Sequence, residues 1–272
     1  MSIHKDVMRV LKETSRTFYI PVARLPAELQ ETVAASYLCF RAIDEIEDHE
    51  TLDAESKAQL LRQVGLILQS QTSLKNHMTV EFEAAFLPFK NLLPEVTLRI
   101  GEWSVHAPTS IAPRIWDATA SMADRMAHWV EANWQVQTEA DLNGYTFSVA
   151  GAVGLLLCDI WSWFDGTQID RALALQFGRG LQAVNILRNQ SEDLERQVNF
   201  FPATWTRSQM FAYARSNLEL ARNSFSNMPK NAFLSFVDIP LRLAEATLDT
   251  LEHGGEKLTR VQVLQIVAQP GW

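Results

Sequence analysis

The sequence predicts an all-α protein, and three observations carry that prediction. Glycine and proline are scarce, 11 and 10 residues in 272, too few for a many-turned β protein or a disordered chain. Leucine, alanine, glutamate, glutamine and arginine recur throughout, and all are good helix formers. No strand-like alternation of apolar and polar residues persists along the chain.

Each element follows from local pattern. A first helix covers 3–15. A second, 27–49, starts after Pro26, and a third, 53–69, is capped by Thr51 or Asp53. The polar stretch QTSLKN (71–76) reads as a loop, followed by helices over 78–93 and 94–105. HAPTSIAPR (106–114) is a break before a helix over 115–135 that carries Trp116, Met122, Met126 and Trp129. Helices over 139–164 and 168–193 flank the turn FDG (164–166), and three more cover 206–227, 230–251 and 257–268. The separators are short and no repeat of fixed period occurs, so 1–272 reads as one domain of packed antiparallel helices.

Composition excludes several functions. The net charge is -8 and the basic residues are scattered among acidic ones, so no basic stripe for nucleic acid exists. Cys39 and Cys158 both lie in apolar runs and read as buried structural thiols of a reducing compartment. The N-terminus MSIHKDVMRV lacks the apolar region of a signal peptide. The longest apolar run, VAGAVGLLLC (149–158), stops at Asp159 and is too short for a span. The expectation is a cytoplasmic protein with at most peripheral membrane contact. Gly151 and Gly154 fall inside a helix, where glycine costs about 1 kcal/mol relative to alanine. Either close helix approach or room for a bound chain would require them.

Two polar seams interrupt the apolar pattern. On helix 27–49, Tyr37, Phe40, Asp44 and Asp48 all lie within about 60° of Val33, with Arg41 flanking at about 80°. Two readings of the pair Asp44 and Asp48 stand at this point: ligands facing a site, or wetted acids beyond a bundle that ends near residue 43. On helix 168–193, Asn185, Asn189 and Asp193 lie within about 60° of Gln182, among Leu181, Ala183, Val184 and Leu187. An ordinary surface face would look similar. Burying four such groups without partners, however, costs a few kcal/mol each. Two oxygen-bearing seams suit a shared hard cation. Carboxylate and amide oxygens favour Mg²⁺ bridged to a phosphate ester. The histidines His4, His49, His77, His106, His128 and His253 form no HxxxH or HExxH pattern, which argues against zinc.

Several blocks then point to a family. SRTF (15–18), YLCFRAIDEIED (37–48), YTFSVAGAVG (145–154), QAVNILRNQSED (182–193), ERQVNFFP (195–202) and IPLRLAEATL (239–248) resemble, in order, the signature blocks of the squalene/phytoene synthase family. The resemblance implies a single-domain isoprenoid-synthase helical bundle around a central cavity. It also implies Mg²⁺-bound prenyl diphosphate held between two aspartate-rich motifs. Asp44 and Asp48 match the first motif. Asn185, Asn189 and Asp193 lie where the second belongs, and these five are the expected metal ligands. Most members carry aspartate at the position of Asn189.

The same resemblance suggests the substrate-binding set. Arg41 and Arg188, with Lys257 or Arg260, would clamp diphosphate oxygens, and Ser15 and Thr17 would donate hydroxyl bonds unless they merely cap a helix end. Phe18, Tyr37, Tyr145 and Phe147 would face an allylic cation, Tyr145 as a catalytic residue, with Gln182 and Asn185 beside it. Trp103, Trp116, Trp129 and Trp134 would wall a tunnel or simply pack the core.

Replacing a ligand carboxylate with an amide removes one negative charge, so the first expectation is ionisation of farnesyl diphosphate with water capture, giving farnesol and diphosphate. The alternatives are full head-to-head condensation, as in squalene, dehydrosqualene or phytoene synthases, and a non-catalytic prenyl-binding descendant. No GxGxxG loop for NADPH is present.

Overall fold

The computed structural model describes residues 3–15, 17–70, 75–226, 228 and 230–269. Among these no β-strand occurs, and the all-α expectation holds. Arg16 of the SRTF block and residues 71–74 of the expected loop lie outside the described residues. The chain divides into two compact units, Met1–Asn133 and Trp134–Trp272.

The first unit contains α1 (Ile3–Ser15), α2 (Tyr19–Val22), α3 (Ala27–Glu47), α4 (Ala54–Gln69), α5 (Lys75–Phe86), α6 (Glu95–Leu98), α7 (Ile100–His106) and α8 (Ala112–Glu131). Of the two caps considered for α4, Asp53 is the one used: its side chain accepts from the Ser56 amide at 2.8 Å. The helix expected over 94–105 breaks at Arg99, where φ −103° and ψ 16° leave the helical well. The one expected over 78–93 gives way to a 3₁₀ turn at Leu87–Phe89, which contains Pro88. α3 packs against α1, α4, α6, α7 and α8, and α4 lies along α8. The core is built from Leu29, Leu38, Ile43 and Ile46 of α3 with Trp103 of α7, all essentially solvent-free. Trp103 is a core residue: its indole donates to the Val96 carbonyl at 2.8 Å, and the Arg99 guanidinium lies 4.3 Å from its ring.

The second unit contains α9 (Glu139–Thr146), α10 (Ala152–Asp165), α11 (Arg171–Glu195), α12 (Arg207–Phe225), α13 (Ala232–Glu252) and α14 (Arg260–Ala268). α11 touches α9, α10, α12 and α13, and Trp161, Phe177, Phe225, Phe233 and Phe236 form the aromatic core around it. α9 and α10 are not one continuous α-helix: a π-helical turn, Phe147–Gly151, joins them. Close helix approach, one of the two explanations for the glycines, applies at Gly154. A Cβ there would sit 2.1 Å from the Ala174 carbonyl oxygen of α11, and one on Gly178 would sit 2.4 Å from that of Ala150. The two backbones meet with no side chain between them.

The stretch Glu139–Asp165 is long and apolar enough to cross a membrane by length and composition, with 39% of its most apolar window buried. The sequence pattern, which ends the apolar run at Asp159, predicts one too short for this; the helical stretch continues to Asp165. Both cysteines are buried and free, as expected. Burial pushes the Cys39 thiol up to about 12 and the Cys158 thiol up to about 11.

Candidate active site

The first seam runs from a buried to an open end of α3. Val33 is buried, Tyr37, Phe40, Arg41 and Asp44 are half-buried, and Asp48 is exposed. The reading in which the packed part of this helix ends near residue 43 is corrected: Ile46 and Glu47 remain buried beyond it. Thr97 Oγ1 donates to the Ala42 carbonyl at 2.9 Å, and Lys57 Nζ to the Glu47 carbonyl at 2.8 Å. α3 itself ends at Glu47, so Asp48 is its C-terminal cap residue, with its amide on the Asp44 carbonyl at 2.9 Å.

Arg41 and Asp44 are brought together. The Arg41 guanidinium donates to Asp44 Oδ2 and, through its other terminal nitrogen, to Glu45 Oε1. Its Nε is buried without an acceptor. Burial, and then the neighbouring Asp48 carboxylate, raise the Asp44 carboxyl to about 7 against the opposing pull of Arg41. Glu45 was missed by the sequence reading, although its i,i+4 spacing from Arg41 is a usable signal.

Next to this cluster, Phe18 and Tyr37 stack with ring centroids 5.1 Å apart. The Tyr37 hydroxyl donates to the Thr14 carbonyl at 3.1 Å, and burial pushes it up to about 12. Ser15 Oγ is buried with no hydrogen-bond partner. Ser15 is the last residue of α1 and its carbonyl, not its hydroxyl, closes the following turn by accepting from the Phe18 amide. Thr17 is exposed.

The second seam lies on α11. Gln182, Asn185 and Asn189 are half-buried, Arg188 is exposed and Asp193 is buried at 7% exposure, so the seam deepens toward its carboxylate. Asn185 Nδ2 donates to Gln182 Oε1 at 3.4 Å, a long bond. Arg188 Nε donates to Asn189 Oδ1 at 3.0 Å. Arg196 holds Asp193 Oδ1 at 2.7 Å, and the Val198 amide closes onto the Asp193 carbonyl at 2.9 Å. Arg196 was missed, and again i,i+3 spacing marks it. Tyr145 is buried and stacks on Phe200 at 4.4 Å, whereas Phe147 is half-buried in the π turn. Lys257 and Arg260 are exposed.

The donor set suits a divalent cation that needs few protein ligands. Among the described residues no group of three or more His, Cys, Asp or Glu side chains forms a metal cage. That fits Mg²⁺, which binds through one or two carboxylates and takes its remaining oxygens from water and substrate phosphate.

Comparison with known proteins places the chain in a family. A family model described as Squalene/phytoene synthase matches residues 11–212, and the chain belongs to the squalene/phytoene synthase family. The squalene synthase of Schizosaccharomyces pombe is 28% identical over 250 residues, covering 87% of this chain and 53% of that protein. That of Homo sapiens is 27% identical over 252 residues, covering 86% and 56%. The chain thus spans about half the length of the curated relatives it matches. Among solved structures, the TcSQS complex with the ligand E5700 shares the fold at a TM-score of 0.78 and 22% identity, over 97% of this chain and 84% of that one. A ligand complex of a dehydrosqualene synthase shares it at 0.62 and 18% identity, over 97% and 93%.

Proposed function

We propose that this chain is a Mg²⁺-dependent prenyl diphosphate enzyme that ionises farnesyl diphosphate and lets water capture the cation. The observation that carries the reading is the amide at position 189 with its oxygen already engaged by Arg188, in a seam where only Asp193 bears a charge. Asp44, Asp48, Asn185, Asn189 and Asp193 are the oxygen donors for the metal. Magnesium, when bound, supplies Lewis-acid neutralisation of the leaving diphosphate.

The chain's own groups do the rest. Arg41, whose guanidinium is preset by Asp44 and Glu45, gives charge-assisted bonds to diphosphate oxygens. Ser15 Oγ, buried and without a partner, donates to the same anion. The stacked pairs Phe18–Tyr37 and Tyr145–Phe200 offer π faces to the allylic cation. Val149, Val153 and Leu157, half-buried at four-residue spacing, give the prenyl chain an apolar surface. The allylic C1–O bond breaks with its electron pair leaving on diphosphate. Water then bonds to C1 and loses a proton, giving farnesol and diphosphate without a redox partner.

A second reading is head-to-head condensation of two prenyl diphosphates. The relatives' names, squalene synthase in each case quoted, favour it, and the amide oxygen of Asn189 is itself a competent donor to Mg²⁺. Incubating the protein with farnesyl diphosphate and Mg²⁺, with and without NADPH, and identifying the lipid by mass spectrometry separates the two. Farnesol supports the first reading; a C30 hydrocarbon or a cyclopropyl diphosphate overturns it. Release of neither alcohol nor diphosphate from any prenyl substrate leaves only a prenyl-binding role. In the same assay Asn189→Asp is expected to lower the Mg²⁺ concentration required. An unchanged requirement removes Asn189 from the metal set.

A further inference from the structure

The first seam ends in a residue that its helix holds on one side only. Asp48 lies one position past Glu47, the last residue of α3, and is exposed. Its amide bonds back to the Asp44 carbonyl at 2.9 Å, but the His49 amide reaches the Ile46 carbonyl only at 3.4 Å. Such an end frays unless other groups fasten it. Two side chains bracket it. Before Asp48, Lys57 of α4, itself buried, donates through Nζ to the Glu47 carbonyl at 2.8 Å. After Asp48 comes His49, half-buried and one of the histidines that belong to no metal-binding pattern.

The His49 ring bonds to backbone at both nitrogens. Nδ1 accepts from the Thr51 amide at 3.3 Å and from the Leu52 amide at 3.2 Å, with the Thr51 hydroxyl 3.4 Å away. A ring nitrogen that accepts from amides carries no proton, so the proton sits on Nε2. Nε2 then donates to the Leu92 carbonyl at 3.2 Å, across 43 residues of chain. Leu92 stands between the 3₁₀ turn Leu87–Phe89 and α6.

The two sets of bonds do different things. Those at Nδ1 fold the chain into a turn directly after Asp48, and the one at Nε2 ties that turn to a separate segment. Neither nitrogen is left over for a metal, so the ring is no ligand itself. What it can do is hold its neighbour. A donor to a metal has to stay within about 0.5 Å of its working position, and the helix alone does not give Asp48 that constancy.

We propose that His49 is a positioning residue for the site: by fastening the chain just past Asp48 to the Leu92 carbonyl, its ring sets where the Asp48 carboxylate stands. The inference rests on the reading of Asp48 as an oxygen donor to the metal. It does not need farnesol to be the product, because water capture and head-to-head condensation would use the same carboxylate.

The test measures Mn²⁺ uptake by the whole chain in the presence of inorganic diphosphate, from the electron paramagnetic resonance signal of free Mn²⁺. His49→Ala is expected to weaken uptake about tenfold, the low end for a group that acts through a metal ligand. His49→Asn, whose Oδ1 stands near the place of Nδ1, keeps the turn. His49→Gln, whose amide nitrogen reaches about as far as Nε2, keeps the bridge. Each should recover part of the loss. In an Asp48→Asn background, His49→Ala should add almost nothing, because its effect passes through that carboxylate. A merely structural role would lower the denaturant midpoint and leave the uptake of the folded protein unchanged. Ring ¹⁵N shifts of the wild type should show the proton on Nε2. The proposal is overturned by wild-type uptake in His49→Ala, by a loss equally large without Asp48, by equal losses in all three variants, or by a proton on Nδ1. Absence of uptake in the wild type overturns it together with the metal role of Asp48. Uptake is read without farnesyl diphosphate, so a failure of the farnesol reading leaves these outcomes unaffected.

Discussion

Asp44 stands on a helix that supplies its own countercharge, Arg41, three residues earlier, and it is raised because burial and Asp48 act against its ionised form. Asn189 stands on a helix whose nearest arginine, Arg188, engages a neutral oxygen, while the buried carboxylate Asp193 is answered by Arg196 beyond it. The α3 seam therefore carries negative charge in excess and the α11 seam is nearly balanced. The difference teaches that the two seams are not equivalent electrostatically: a cation at α3 would relieve an excess of carboxylates, whereas α11 offers mainly dipoles.

The comparison breaks most visibly in activity. Asp44→Asn should lower Mg²⁺-dependent diphosphate release by about 10²–10³-fold, and Asp193→Asn by clearly less. A continuous diphosphate-release assay reads both, and equal losses would mean that the two seams are not asymmetric. Next in size is the scaffold under α11. Gly154→Ala drives a methyl into the Ala174 carbonyl and should cost about 1–3 kcal/mol, read as a drop in denaturant midpoint. The same substitution at Gly65, where the nearest atom lies at 3.5 Å, should be tolerated.

A smaller effect sharpens the charge argument. The folded-state value for Asp44, about 7, lies above its ordinary 3.8, so between these values the folded chain binds more protons than the unfolded one. Its contribution to stability is complete below pH 4 and is lost as pH rises through about 7. The side chain keeps 36% of its surface in solvent, which trims the effect to about 1–2 kcal/mol. Metal-free wild type minus Asp44→Asn, followed by thermal denaturation from pH 5 to 8, should show it. A flat difference would mean that the seam is not charge-strained. The smallest expected effect is on α11: Arg196→Gln should cost about 1 kcal/mol or less, since Arg196 is 47% exposed.

Much of this was legible in the chain. The two seams follow from helical spacing alone, and Asp53 and FDG mark a start and a stop that the structure keeps. The π turn was not legible, because YTFSVAGAVG is mostly small and apolar, and Thr146 and Ser148 alone are too few to set a phase from which an extra residue per turn could be read. The break at Arg99 was hidden for the opposite reason. Its ion pairs with Asp6, Glu95 and Glu102 support helices on both sides, so local propensity stays helical through a residue that is not. Asp48 fell outside α3 because helix ends are the least determined part of any pattern.

The contact between Gly154 and the Ala174 carbonyl, repeated between Gly178 and Ala150, has a mechanical consequence. With no rotatable side chain in the joint, α10 and α11 cannot slide past each other by rotamer changes. They behave as one stiff beam, with Gln182, Asn185 and Asn189 on one member and Val153 and Leu157 on the other. The interval between the two helices is thus set when the chain folds, before any ligand is met.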